Sequence, residues 1–221
     1  MAAILKKLKL KNQKSILGAF AVILIIILVV GLIGTVGVNR IFGDVQSMFY
    51  DRLYPAVEMA KITEKLYENR LNLEEHLTSV NAGSMHQLEQ NIYKNNILID
   101  SLTEKYAGTH LVAEEKRKLR EYRREIFLYR KIENKIIELS RTQQKTEAFQ
   151  MFSKEGYEEF RRMMEPIHDI TDTQAQIGSE LYKDSERAAN RVRWALYSAM
   201  ITIVLIVTVL GTLVAFNYLH E

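Results

Sequence analysis

The 221 residues contain no cysteine, which excludes disulfides and thiol chemistry and leaves the redox character of the compartment open. Proline occurs twice, at Pro55 and Pro166, and no proline-rich or glycine-rich linker divides the chain. No stretch alternates apolar and polar residues for long enough to suggest a strand. An HExxH zinc helix, a phosphate-cradling glycine loop and a cysteine nucleophile are all missing, and His76, His86, His110, His168 and His220 fall at no metal-ligand spacing. The sequence therefore does not read as an enzyme and calls for no cofactor or metal. A net charge of +3, not gathered into one basic face, argues against a nucleic-acid partner.

Long uncharged runs, by contrast, are present. Ile16 to Val38 carries no charged side chain and, as a helix rising ~1.5 Å per residue, covers roughly 35 Å, enough to cross a hydrocarbon core of ~30 Å. Trp194 to Leu219 is equally free of charge, with Ile201, Ile203, Val204, Leu205, Ile206, Val207, Val209 and Leu210 at its centre. In lipid the backbone must satisfy itself, so continuous runs of this kind are expected as transmembrane helices. The chain divides into a basic N-terminal stretch (1–15), a first span (16–38), an extramembrane domain (39–193), a second span (194–219) and a short end (220–221). The middle segment suffices for one modest domain.

Flanking charge gives the orientation. Lys6, Lys7, Lys9, Lys11 and Lys14 precede the first span, whereas Arg40 and Arg52 beyond it are offset by Asp44 and Asp51, which places the N-terminus in the cytoplasm. Arg187, Arg191 and Arg193 before the second span pull the other way. The first span usually dominates, and long arginines beside Trp194 can snorkel to the interface. A cleavable signal peptide is the competing reading of the first run. The run exceeds the usual ~7 to 15 apolar residues and lacks a clear small-x-small exit, so an uncleaved anchor is expected.

The middle segment reads as four amphipathic helices. The first continues from the span to Pro55 and resumes with two apolar stripes, one of Leu53, Val57, Ala60, Glu64, Tyr67 and Leu71, the other of Ile62, Leu66, Asn69, Leu73, Leu77 and Val80. Together they give the wide face of a helix packed in a bundle. Ser84 is a candidate N-cap for the second helix, whose Met85, Leu88, Ile92, Asn95, Ile99, Leu102 and Tyr106 alternate three and four apart. Gly108 is a natural left-handed terminator. The third helix, from about Leu111 to Ser140, turns Leu119, Tyr122, Ile126, Tyr129, Ile132, Ile136 and Leu139 inward, with a slip near Ile132. Thr142 to Thr146 reads as a turn. The fourth carries Phe160, Met163, Ile167, Ile170, Gln174, Ile177, Leu181, Ala188 and Val192 into the second span, with Pro166 expected to bend it. The expected fold is all-α, with two transmembrane helices flanking an up-down-up-down four-helix bundle.

The lysine-flanked first span, the segment Asp51-Arg52-Leu53-Tyr54-Pro55-Ala56, the four helices and the fourth helix running into a second span resemble the four-helix-bundle sensory module of methyl-accepting chemotaxis receptors. The resemblance covers essentially the whole chain. It implies a sensor in the bacterial inner membrane with the bundle in the periplasm and both termini cytoplasmic. Such receptors continue past the second span into a HAMP linker and a methylated hairpin that engages a kinase. Ending at Glu221, this chain is expected to be a chemoreceptor-like sensor half, either a short stand-alone protein or a truncation.

Candidate site residues are polar interruptions of the apolar stripes. Counted from the turn between the first two helices, Asn69 and Asn95 fall at one height and should face each other. Arg70 borders them, Arg130 and Glu133 fall at a similar level on the third helix, and Arg161 and Arg162 on the fourth. In the resembling receptors, outer-domain arginines on the first helix, often at a dimer interface, bind carboxylates of small ligands. Arg70 fits that role best, because a guanidinium fork matches a carboxylate bidentately. Alternatively, Asn69 and Asn95 set helix register and Arg161 and Arg162 form a solvated face. His168 is open to two readings, a ligand contact or proton sensor and a partly solvated structural histidine. Tyr122, Tyr129 and Phe160 read as core.

The expected function is a homodimeric, membrane-anchored sensor whose bundle binds a small carboxylate or a periplasmic protein and signals through the second span to a partner in the membrane. Pairing through the first helix and close approach at Gly31, Gly34 and Gly37 would support the dimer. The alternative is a non-sensing structural or regulatory membrane protein that binds a neighbouring receptor or envelope protein.

Overall fold

A computed structural model describes the backbone of residues 2–219 and the side chains of residues 18 and 20–212. The side chains of Lys6, Lys7, Lys9, Lys11 and Lys14, and all of His220 and Glu221, lie outside the described residues. The chain forms helices α1 (Ala2–Ser47), α2 (Tyr54–Thr78), α3 (Ala82–Ala107), α4 (Ala113–Arg141), α5 (Lys145–Ser153) and α6 (Glu155–Leu219), with a π-helical turn at Met48–Leu53 between α1 and α2. Among the described residues there is no strand. The chain divides into two compact units, one from Met1–Val45 with Tyr182–Glu221, the other Gln46–Leu181.

The first unit pairs the N-terminal helix with the C-terminal part of α6. Among the described residues two helices are long and apolar enough to cross a membrane by length and composition. Their apolar side chains point outward, Leu28 being 65%, Leu32 68% and Val204 58% exposed. Gly37 lets the two helices meet, because a Cβ there would collide with Val192, whereas Gly31 and Gly34 face open space. The Ser185 hydroxyl donates to Asp44 across the pair at 3.2 Å. Gly31, Gly34, Leu196, Met200 and Ile203 line an apolar groove of about 740 Å³.

The second unit is the bundle. Its first helix is continuous with α1, but the ladder changes at Met48–Leu53, where the Tyr54 N–H donates to the Phe49 carbonyl, a spacing of five residues. Pro55 supplies the reason: it has no N–H, and its ring crowds the carbonyl four residues before it, at Asp51. The widened turn leaves Leu53 exposed and buries Arg52 to 7% exposure.

Arg52 then ties the bundle together. Its Nη1 donates to Glu115 Oε2 on α4 at 3.0 Å. Glu115 also takes the Val112 N–H at 2.9 Å, closing the start of α4, and the Tyr106 hydroxyl of α3 at 3.1 Å. The Gln174 amide of α6 donates to that hydroxyl at 3.3 Å. One buried chain of hydrogen bonds thus joins the π-turn, α3, α4 and α6.

Helices α3 and α4 bury most of what their periodicity assigns, and the differences have local causes. All seven inward positions of α3 are buried, from Met85 to Tyr106. Its N-cap is Asn81 rather than Ser84, because the Asn81 carboxamide accepts from the Gly83 and Ser84 N–H groups. Gly108 closes α3 in a right-handed conformation, φ −79°, ψ −6°, not the left-handed one expected. The positive φ falls instead on Gln143, 66°, in the turn after α4. The polar stretch Thr142 to Thr146 is a turn only at its start, since α5 begins at Lys145. Helix α6 runs through Pro166, which is buried.

Of the two stripes on α2, the bundle covers one. Ile62, Leu66, Asn69, Leu73 and Leu77 are buried, but Val80, beyond the helix end, is 89% exposed. The stripe of Leu53, Val57, Ala60, Glu64, Tyr67 and Leu71 is exposed throughout, contrary to the expectation that both face the core. A face of a single bundle is too narrow to take both.

Removing one member of the buried ion pair leaves the other uncompensated, so Arg52→Met should cost about 3–5 kcal/mol of stability, part of which Glu115→Leu in the same chain restores. Denaturant unfolding of the full chain in detergent would measure both. Equal stability of Arg52→Met and wild type would mean that water reaches this pair.

Candidate functional site

The apolar core of the bundle is two clusters, not one. The larger holds Met59, Ile62 and Leu66 of α2 with Ile99, Leu102 and Tyr106 of α3, Tyr122, Ile126 and Tyr129 of α4, and Phe160 to Ile170 positions of α6. The smaller holds Leu73, Leu77, Ile92, Ile136, Leu139, Ala148 and Phe152. Between them, at the same step along each helix, stand Asn69, Asn95, Asn96 and Glu133.

These four form a directed chain. Asn95 Nδ2 donates to Asn69 Oδ1 at 2.9 Å, and Asn69 Nδ2 donates to Asn96 Oδ1 at 3.1 Å. Asn96 Nδ2 donates to Glu133 Oε2 at 3.2 Å, and Oε1 of that carboxyl has no partner. Arg130, one turn away on α4, reaches the Asn96 carbonyl at 3.3 Å but gives its other contacts to Asp100, at 2.9 and 3.1 Å. Burial pushes the Glu133 carboxyl up to about 7, against the Asn96 hydrogen bond and the Arg130 charge.

A second polar cluster closes the far side of the smaller apolar group. His76, fully buried, sits between Ser140 Oγ, 2.8 Å from Nδ1, and Glu89 Oε1, 3.1 Å from Nε2. Lys145 Nζ donates to the His76 carbonyl and to Ser140 Oγ, each at 2.7 Å, and Arg141 holds Glu89 through two nitrogens. The Ser140 hydroxyl, which has one proton, lies within reach of both the His76 carbonyl, 3.0 Å away, and Nδ1, so the tautomer of His76 follows from which of the two it serves. Burial pulls the His76 pKa down, reinforced by Lys145 and Arg141 and opposed by Glu89. Ser140 has no exposure to solvent, so this is a structural clasp between α2, α3, α4 and α5, not a nucleophile within reach of a substrate.

Beside the polar layer lies a cavity of about 510 Å³ on the α2–α6 side, lined by Tyr67, Arg70, Tyr157, Phe160, Met164 and His168, with Arg161, Glu165 and Asp169 also on its wall. Arg70 is held by aromatic faces. Its guanidinium carbon is 4.4 Å from the Phe152 ring centroid, 5.0 Å from Phe160 and 5.9 Å from Tyr157, and one nitrogen points at the Gly156 carbonyl, 3.4 Å away. Stacking of this kind contributes about 0.5–2 kcal/mol and leaves in-plane N–H groups for an anion. Among the described residues Arg70 touches no carboxylate.

A family model described as a four helix bundle sensory module for signal transduction matches residues 9–189. This chain belongs to that family. No curated protein matches it. Membership makes the protein a signal-transduction sensory module, and the geometry shows where its sequence-derived candidates stand in the module.

Asn69 and Asn95 do face each other, but in the core, away from the cavity wall. Arg70, Arg161 and His168 share the cavity. Arg161 is bound to Glu158 at 3.0 Å, and Arg162 pairs with Glu159 along a neighbouring groove instead. On α6 the Gly156 carbonyl accepts from Arg70 and the Phe160 ring packs on Arg70 and Tyr129, so the segment from Gly156 to Phe160 stands beside the layer and Arg161 and Arg162 follow it directly, turned to the two grooves.

Among the residues that escaped the sequence reading as site members are Arg52, His76 and Asn96. A signal existed for His76, which falls between Leu73 and Leu77 on an inward stripe. Glu133 was placed by height only. The slip seen near Ile132 is in fact an unbroken repeat of Tyr122, Ile126, Tyr129, Glu133 and Ile136 in which the carboxylate takes a core place, Ile132 being half-buried.

Asn69→Leu should destabilise the protein by about 1–3 kcal/mol, since it strands the amide of buried Asn95 and the oxygen of Asn96. Asn69→Leu with Asn95→Leu should recover most of that loss, because half-exposed Asn96 can turn to water. Additive losses in a double-mutant cycle of thermal unfolding would show that the two amides do not bond.

Proposed function

We propose that the protein is a membrane-anchored, chemoreceptor-like sensor without enzymatic activity, whose bundle takes a small organic acid in the Arg70 cavity. The observation that carries this reading is a guanidinium fixed by three aromatic rings, free of any carboxylate partner, on the wall of a cavity of ligand size. Arg161 and His168 add donors, and Glu165 and Asp169 give a place for an ammonium group carried on the same ligand.

In this reading the apolar parts of α1 and α6 are spans of a bacterial inner membrane, both termini lie in the cytoplasm and the bundle stands in the periplasm. Their outward apolar faces support it, as surface of that kind needs an apolar surround. The exposed stripe of α2, with Leu53 54%, Tyr67 48% and Leu71 65% exposed, is the surface by which two copies pair. The conformational signal travels along α6, one helix from the bundle into the second span, to a signalling partner in the membrane. The competing reading, a regulatory bundle that docks a receptor or envelope protein, draws on Tyr93, Ile97 and Phe127, exposed on α3 and α4.

Single-cysteine variants test topology and pairing together. Cysteine at exposed Ser84 should react with a membrane-impermeant thiol reagent in intact spheroplasts, and cysteine at Leu71 should link two copies on oxidation in native membranes. Labelling of Ser84→Cys only after lysis would put the bundle in the cytoplasm, and monomeric Leu71→Cys would remove the α2 interface.

The ligand reading is tested by a thermal-shift screen of amino acids, dicarboxylates and other small organic acids on the full chain in detergent. A binder should stabilise wild type by ~2.7 kcal/mol at a hundred times its dissociation constant, and Arg70→Ala should lose that shift while keeping its helical content. No response from wild type, or the same response from Arg70→Ala, would move the docking reading ahead.

A further inference from the structure

Glu133 is a carboxyl group buried to 1% exposure in the middle of a helical bundle. One of its oxygens accepts a single hydrogen bond from an uncharged amide, and the other is buried without a partner. Among the described residues it forms no ion pair. An ionised carboxylate in such a place carries a large desolvation cost that one amide does not offset, whereas a neutral acid fits.

The charged groups of the surrounding helices are engaged elsewhere. On α2, Arg70 is stacked on aromatic rings and His76 is clasped by Ser140 and Glu89. On α3, Asp100 is bound by Arg130 and Glu89 by Arg141. On α4, Arg130 pairs with Asp100 while its buried Nε has no partner, and the Tyr129 phenol, whose pKa burial and Glu133 raise and Arg70 lowers, is buried with its oxygen unpaired. On α5, Lys145 is bound to Ser140 and the His76 carbonyl. On α6, Glu159 pairs with Arg162.

We propose that Glu133 is a proton-binding site built into the bundle core, neutral while the polar layer is closed and ionised when that layer rearranges, so that the sensory bundle responds to pH. Ionisation sets up a competition for Arg130, which serves Asp100 and the Asn96 carbonyl of α3 as long as Glu133 is neutral. Drawing that guanidinium towards Glu133 loosens the α3–α4 tie at the polar layer between the two apolar clusters. No molecule in the Arg70 cavity is needed, so this inference stands or falls independently of the ligand reading.

The direction of the effect follows from linkage. The folded carboxyl titrates near 7, above its ordinary value of 4.5, so its contribution to stability is complete below about 4.5 and is lost as pH rises through about 7. Glu133→Gln keeps the shape and the hydrogen bond of the neutral acid and cannot ionise.

The test uses the full chain in detergent. Melting temperature is followed across this window for wild type and Glu133→Gln, together with infrared difference spectra of the carboxyl stretch. Wild type should lose melting temperature relative to Glu133→Gln as pH rises, and its spectrum should hold a protonated-carboxyl band that fades near pH 7 and is absent from the variant. Parallel pH profiles would overturn the proposal, as would a wild-type spectrum in which every carboxyl ionises in the ordinary range. The wild-type spectrum decides the matter even where the variant does not fold.

Discussion

The bundle depends on a requirement that each buried amide find its partner. Asn69, Asn95 and Asn96 satisfy one another only when α2 and α3 stand in one register, the register that also puts Leu66 with Ile99 in one apolar cluster and Leu73 with Ile92 in the other. Apolar contacts alone tolerate sliding, because a leucine moved by one turn meets another leucine. A displaced asparagine meets no acceptor and costs about 1–3 kcal/mol per stranded group. The layer thus trades some stability for a single alignment, and Glu133 extends the same constraint to α4.

A second fixed point lies where the bundle's first helix begins. Proline at position 55 would ordinarily break or kink a helix, but one wide turn absorbs it and keeps the helix going. That turn changes which side chains face inward, and Arg52 gains access to Glu115 as a result. The Arg52 network and the asparagine layer share no residue, and the larger apolar cluster lies between them. With the His76 clasp at the far end, helix alignment is therefore specified at three heights by hydrogen bonds and filled in by apolar packing.

Much of this could be read from the sequence where a short turn let positions be counted. The link from Ser79 to Asn81 is tight, so counting outward from it placed Asn69 against Asn95 correctly. Across the link to α6 the counting did not foresee the short helix α5, and it gave a height for Arg161 and Arg162 without saying that both turn to outer grooves and pair with Glu158 and Glu159. Periodicity also could not say which of two apolar stripes on α2 its own bundle would cover. Hydrophobicity states that a side chain avoids water and leaves open what shields it. A core position filled by glutamate is hidden for a related reason: Glu133 looks like a slip in the pattern because the pattern is drawn in apolar residues.

The Arg70 cavity and the polar layer share a wall. Asn69 and Arg70 are consecutive on α2, so the first faces the core while the second turns to the cavity. Tyr129 lies where both fields reach it: the Glu133 charge raises its pKa and the Arg70 guanidinium lowers it. Arg70 and Glu133 are thus close enough to act on one phenol, yet each is held away from the other, the cation by aromatic faces and the acid by an amide. The rings of Phe152, Phe160 and Tyr157 therefore do more than fill space, since they hold the guanidinium at the cavity wall without a carboxylate partner.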